Sequence, residues 1–154
     1  MKKRHLFAAM AIALAIPLGS AFTAGATPKD KTQAQVVGPV RLNGDGTATV
    51  TARYICQDDF THLWVSAKQA PSRGPDKILQ GDGSSQNSVA WWQSHPQDFT
   101  CDGVWHTQSF LIDTTEQGFG ELAHGQAWIQ FCLTGGEGFP PPLLVMDTRW
   151  AAVV

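Results

Sequence analysis

Apolar and polar residues alternate singly along most of this chain, and turns rich in glycine and proline interrupt the alternation. In residues 47–56, TATVTARYIC, Val50, Ala52, Tyr54 and Cys56 share one face, and Thr49, Thr51, Arg53 and Ile55 share the other. A period of two marks a strand with one buried face. The same pattern predicts strands over 35–42, 62–68, 88–92, 104–113, 121–133 and 143–154. In 62–68, Leu63, Val65 and Ala67 oppose Trp64, Ser66 and Lys68. In 121–133, Ala123, Ala127, Ile129 and Phe131 oppose His124, Gln126, Trp128 and Gln130. Asn43-Gly44-Asp45-Gly46 predicts a hairpin turn, because asparagine and glycine tolerate positive φ. Residues 70–87 form a long loop rich in Pro, Gly and Ser, and 134–142, TGGEGFPPP, a turn leading into an extended polyproline stretch. No segment of ten or more residues carries a helical stripe. Seven short strands with turns between them predict an all-β fold: an antiparallel, immunoglobulin-like β-sandwich, with a small closed β-barrel as the alternative.

The first residues depart from this pattern. Lys2, Lys3 and Arg4 precede LFAAMAIALAIPL, an apolar run shorter than the roughly 20 residues a membrane helix needs, and Ala24-Gly25-Ala26 follows. Residues 1–26 are therefore expected to be a signal peptide, 27–33 a flexible tail and 34–154 a single domain. The protein is expected to be secreted, with no membrane association after cleavage. Removing three of eleven basic residues leaves eight against thirteen acidic ones, a formal charge of −5. Those eight are scattered, so nucleic acid, which demands a basic face, is excluded as a partner.

Export favours a disulfide, and three cysteines allow one bridge. Cys132 is in phase with Gln130 and Gln126, opposite the apolar face of its strand, so it is expected to point away from the core. Cys56 ends its strand on the apolar face. Cys101 sits in the turn FTCDG, where Asp102-Gly103 can bend sharply. Cys56 and Cys101 are the expected pair, which leaves the protein a monomer, or a dimer linked through Cys132.

The runs GDGTATVTARYIC, HLWVSAKQ, CDGVWHTQSFLID and HGQAWIQF together resemble a group of small exported proteins of high-GC Gram-positive bacteria, of unknown function. The pattern positions are Cys56, Gln69, Cys101, Asp102, Gly103, Gly125 and Ala127. The resemblance covers most of the chain beyond the signal segment. It implies a β-sandwich and the Cys56–Cys101 pair, and it implies no activity. Cys132 and the FPPP run stand outside the pattern.

Candidate chemistry is sparse. His62, His95, His106 and His124 lack the short spacing of a zinc site, and Asp45 and Asp82 lack the repeated acidic ligands of a calcium loop. There is no Gly-x-Ser-x-Gly elbow. The acid pairs Asp58-Asp59 and Glu116/Glu121 cannot be placed across a cleft. No catalytic, cofactor or metal site is expected, and the protein is expected not to be an enzyme. The remaining signal is six tryptophans. In WWQSHPQDFTCDGVWH, Trp91 and Trp92 are adjacent, so one of them faces the core. Trp91, Trp92, His95 and Trp105 are the candidate ligand-binding residues, with Gln93 and Asp98 as polar neighbours. The expected function is binding of a polysaccharide or protein at the cell surface through exposed tryptophans. The alternative is a small protease inhibitor or hydrolase using the 70–87 loop, with Arg73 presented to a protease.

Overall fold

Residues 32–57, 60–81, 84–135 and 143–154 are described by the structure, a computed structural model. The expected signal segment 1–26, most of the expected tail, the Asp58-Asp59 pair, Asp82 and the FPPP run lie outside the described residues. Seven strands follow in chain order: β1 (Gln33–Leu42), β2 (Ala48–Ile55), β3 (Phe60–Gln69), β4 (Ala90–Ser94), β5 (His106–Ile112), β6 (Gly125–Gly135) and β7 (Leu143–Val153). The chain is all-β, as its alternation predicts. Two short 3-10 turns, Lys77–Gln80 and Ser84–Asn87, lie in the long loop. Gln33, expected in the flexible tail, belongs to β1 because its backbone already pairs with Ile55.

The strands form one sheet in the order β4-β3-β6-β7-β1-β2-β5. Neighbours are antiparallel except β1 and β7, which run parallel and register at Val40 and Val153, a departure from the fully antiparallel expectation. The sheet curls into a half-barrel, and a bridge between Gln93 and Asp113 joins β4 to the residue that follows β5.

The inner face carries the apolar phase of every strand. Val50, Ala52 and Tyr54 of β2, Leu63, Val65 and Ala67 of β3, Phe110 and Ile112 of β5, and Ile129, Phe131 and Leu133 of β6 are all buried. The Tyr54 ring lies 5.9 Å from that of Phe131 and 6.2 Å from that of Phe110. Its hydroxyl donates to Gln108 Oε1 at 2.9 Å and accepts from the Thr100 N–H at 3.3 Å, so the polar end of this core residue is satisfied.

Side chains replace backbone partners in two places. β1 shifts register between Val37 and Arg41, around Gly38, whose φ is 70°. Ahead of that break the Val36 N–H donates to the Asp147 carboxylate at 2.6 Å, and Arg149 Nη1 donates to the Val36 carbonyl at 2.9 Å. β6 begins at Gly125 and not at Glu121, because the preceding residues pair with a side chain. The buried Gln69 amide donates to the Ala123 carbonyl at 2.7 Å and accepts the Ala123 N–H at 3.0 Å.

Cys56 and Cys101 form the expected disulfide. The turn beside it is shaped by Gly103, with φ 82°, whose N–H donates to the Cys56 carbonyl at 2.8 Å.

Candidate functional site

The polar phase of β3 is the point of departure, because it is not solvated. Trp64, Ser66 and Lys68 face away from the core, yet Ser66 is fully buried and Lys68 is only 6 % exposed. Strand pairing explains the burial. Ser66 lies between Gln93 of β4 and Gln130 of β6, Lys68 between Trp91 and Trp128, and Trp64 beside Cys132. Four tryptophans thus gather on the outer face of neighbouring strands, since Trp150 of β7 pairs with Trp128 and their rings stand 5.3 Å apart.

The 70–87 loop folds back onto one end of this face. Leu79 is buried against Ala70 and Trp128, with Trp150 beside them. Asp76 caps the first 3-10 turn by accepting the Ile78 N–H at 3.1 Å. The Arg73 carbonyl accepts the Gln126 N–H at 2.7 Å. From the second 3-10 turn, Ser84 accepts a hydrogen bond from Lys68 Nζ at 2.7 Å. The ammonium stands 5.9 Å from the ring centre of Trp64 and 5.6 Å from that of Trp91, so the two indoles bracket it.

The floor between the indoles is polar. Trp64 Nε1 donates to Gln93 Oε1 at 2.8 Å. An indole N–H can only donate, so this bond fixes the Gln93 amide and turns its NH2 group the other way. That NH2 group has no partner among the described residues, and neither do Ser66 Oγ, Gln130 Oε1 and Trp91 Nε1. These four atoms sit on adjacent positions of three strands. A buried polar atom left unbonded costs about 1–3 kcal/mol, and a fifth, Thr134 Oγ1, lies in the same phase of β6 as Gln130.

Burial also sets the ionisation here. It lowers the Lys68 pKa from its ordinary value, opposed by Cys132. It pushes the Cys132 thiol up to about 11, opposed by Lys68, so the thiol stays protonated at neutral pH. Cys132 faces away from the core, as its phase predicts, and is nevertheless buried on the outer side.

The candidate residues read from the sequence divide. Trp91 is on this face. His95, next in the same phase beyond β4, is paired with Glu116, and its ring is 4.8 Å from that of His62. His95 and Glu116 also line a shallow depression of about 360 Å³ with Asp98, Ser109 and Leu111. Trp92 is corrected from surface to core: it is in phase with Ala67 on the inner face, and its Nε1 donates to the Gly120 carbonyl at 3.0 Å. Trp105 is exposed but lies beside β2, stacked on the Arg53 guanidinium at 4.4 Å, away from the other tryptophans. Trp64, Ser66, Lys68 and Gln130 are missing from the candidates drawn from the sequence. Their common phase within β3 and β6 was the available signal, but single strands do not reveal which strands pair.

Arg73 is exposed, but it occupies a tight turn with φ 54°, its N–H donating to the Ala70 carbonyl at 2.9 Å. Its own carbonyl is held by Gln126. A loop that imitates a protease substrate has to be extended with a free carbonyl, and this one is neither. In comparison with known proteins, no family model and no curated sequence matches the chain.

Proposed function

We propose that the protein is an exported, non-enzymatic domain that holds a polysaccharide on the outer face of β3, β4 and β6. The observation that carries this is the gathering of Trp64, Trp91, Trp128 and Trp150 on one outer face of neighbouring strands, with unbonded polar atoms of Gln93, Ser66 and Gln130 on the same face. Sugars present hydroxyls that both donate and accept, together with flat C–H faces that stack on indoles. Trp64, Trp91 and Gln130 are half-buried on this face and offer ring area and an amide, with the buried Gln93 and Ser66 beside them, a combination that complements both properties. Amides, a hydroxyl, indoles and an ammonium bind ligands, whereas Glu116 and Asp102 are engaged elsewhere, with His95 and His106. The Cys56–Cys101 disulfide supports an oxidising compartment, in keeping with the basic and apolar start of the chain. The turned backbone of Arg73 favours this function over protease inhibition.

Retention on insoluble cellulose, chitin and xylan tests the proposal. Trp64→Ala and Trp91→Ala are expected to lose about tenfold or more in affinity, the usual effect of removing an aromatic anchor, and Trp105→Ala to bind like the parent. Equal retention of all three variants and the parent would refute it.

A further inference from the structure

Lys68 makes the outer-face site more specific than a general sugar platform. It is among the most buried polar residues of the protein, yet no carboxylate pairs with it among the described residues, whose ion pairs are His95–Glu116 and His106–Asp102. Its partners are one neutral hydroxyl, Ser84 Oγ, and two ring faces. Buried ammonium groups ordinarily pair with an anion, because ring faces and a single hydroxyl replace only part of the lost hydration. The unused buried groups on the same face of β3, β4 and β6 include two pure donors, the Gln93 NH2 and the Trp91 indole N–H, one hydroxyl that can do either, that of Ser66, and one pure acceptor, Gln130 Oε1. A neutral sugar would use donors and acceptors about equally. Donors beside a cation that has no carboxylate partner among the described residues suit a carboxylate.

We infer that the site takes an acidic sugar, a uronate-type residue within a polysaccharide, whose carboxylate becomes the counter-ion of Lys68. This rests on the function proposed above and names its ligand class. The carboxylate takes the place of the Ser84 hydroxyl at Nζ and accepts from the neighbouring N–H donors. A ring hydroxyl donates to Gln130 Oε1, and the sugar face lies against Trp64 or Trp91. Because Ser84 belongs to the folded-back loop, its exchange for the ligand ties binding to release of the second 3-10 turn. The chain as a whole is net acidic, with a formal charge of −2, so general basicity would not produce such a preference.

The experiment compares each acidic polymer with its own neutral form: polygalacturonate, alginate and hyaluronan, each against its methyl-esterified or carboxyl-reduced counterpart. The mature protein is expected to bind at least one acid form about tenfold or more tightly than its neutral counterpart, as a charge-assisted hydrogen bond implies. Added salt should erode that margin. Lys68→Gln is expected to abolish the preference and Lys68→Arg to restore part of it, with circular dichroism confirming the fold of each. The acid-versus-neutral comparison needs no variant, so it stands even if Lys68→Gln does not fold. Equal binding of acid and neutral forms, lost in Trp64→Ala, would overturn the acidic preference and leave the sugar-binding site intact. Binding of none of these polymers, nor of cellulose, chitin or xylan, would overturn both.

Discussion

Gln69 shows how one side chain can act as a strand. Its amide closes two hydrogen bonds on the backbone of Ala123 and holds residues 121–124 beside β3, although they are not themselves in the sheet. Truncation would leave both backbone groups unpaired. Gln69→Ala is expected to destabilise the protein by about 3 kcal/mol, read from urea unfolding. His62 makes the fold sensitive to acid. Burial, and secondarily the nearby His95, lower its pKa, while Glu116 opposes the shift. A depressed folded value means that His62 contributes stability above its unfolded pKa of about 6.5. That stability is lost as pH falls through the lower folded value. The urea midpoint is expected to drop between about pH 7.5 and pH 5. The drop should be smaller in His62→Gln, and an identical drop in the two proteins would exclude His62 as the cause.

The long loop between β3 and β4 behaves as a structural element and not as a free excursion. Leu79 is its anchor, fully buried against Ala70 and Trp128, and Lys68 tethers its second 3-10 turn through Ser84. Leu79→Ala removes that anchor. A loss of about 3 kcal/mol is expected, concentrated in the loop, so limited proteolysis should cut within 70–89 well before the sheet unfolds. Cleavage at the rate of the parent would show that Leu79 does not hold it. The composition of 70–87 predicted a loop correctly, but a Pro-, Gly- and Ser-rich run does not state what it packs on. Leu79 and Ile78 are adjacent apolar residues, and one is buried while the other is half exposed. Only the docked turn distinguishes them.

One covalent tie acts on the whole chain. Cys56 and Cys101 are 45 residues apart and enclose β3, the long loop and β4 within a closed ring. Chain entropy assigns such a ring about 4 kcal/mol. The Cys56→Ala/Cys101→Ala double variant is expected to lose that much in urea unfolding, and a loss below about 1 kcal/mol would show that the bridge hardly constrains the unfolded chain. Strand phases were legible in β2, β3 and β6, because a two-residue period assigns each side chain to a face before any pairing is known. Hence Val50, Ala52 and Tyr54 go inward, Cys132 goes outward, and one of Trp91 and Trp92 must enter the core. Which of the two enters was not legible, since adjacent tryptophans have the same hydropathy and only pairing with Ala67 settles the phase. Nor was the burial of the second face, which arises from strands distant in sequence meeting edge to edge and from a loop returning over them. Local alternation thus determines the two sides of β2, β3 and β6. Sheet order decides that Ser66, Gln93 and Gln130 become neighbours and that Trp105 stands apart, because hydrogen bonding between strands is non-local and leaves no trace in any one of them.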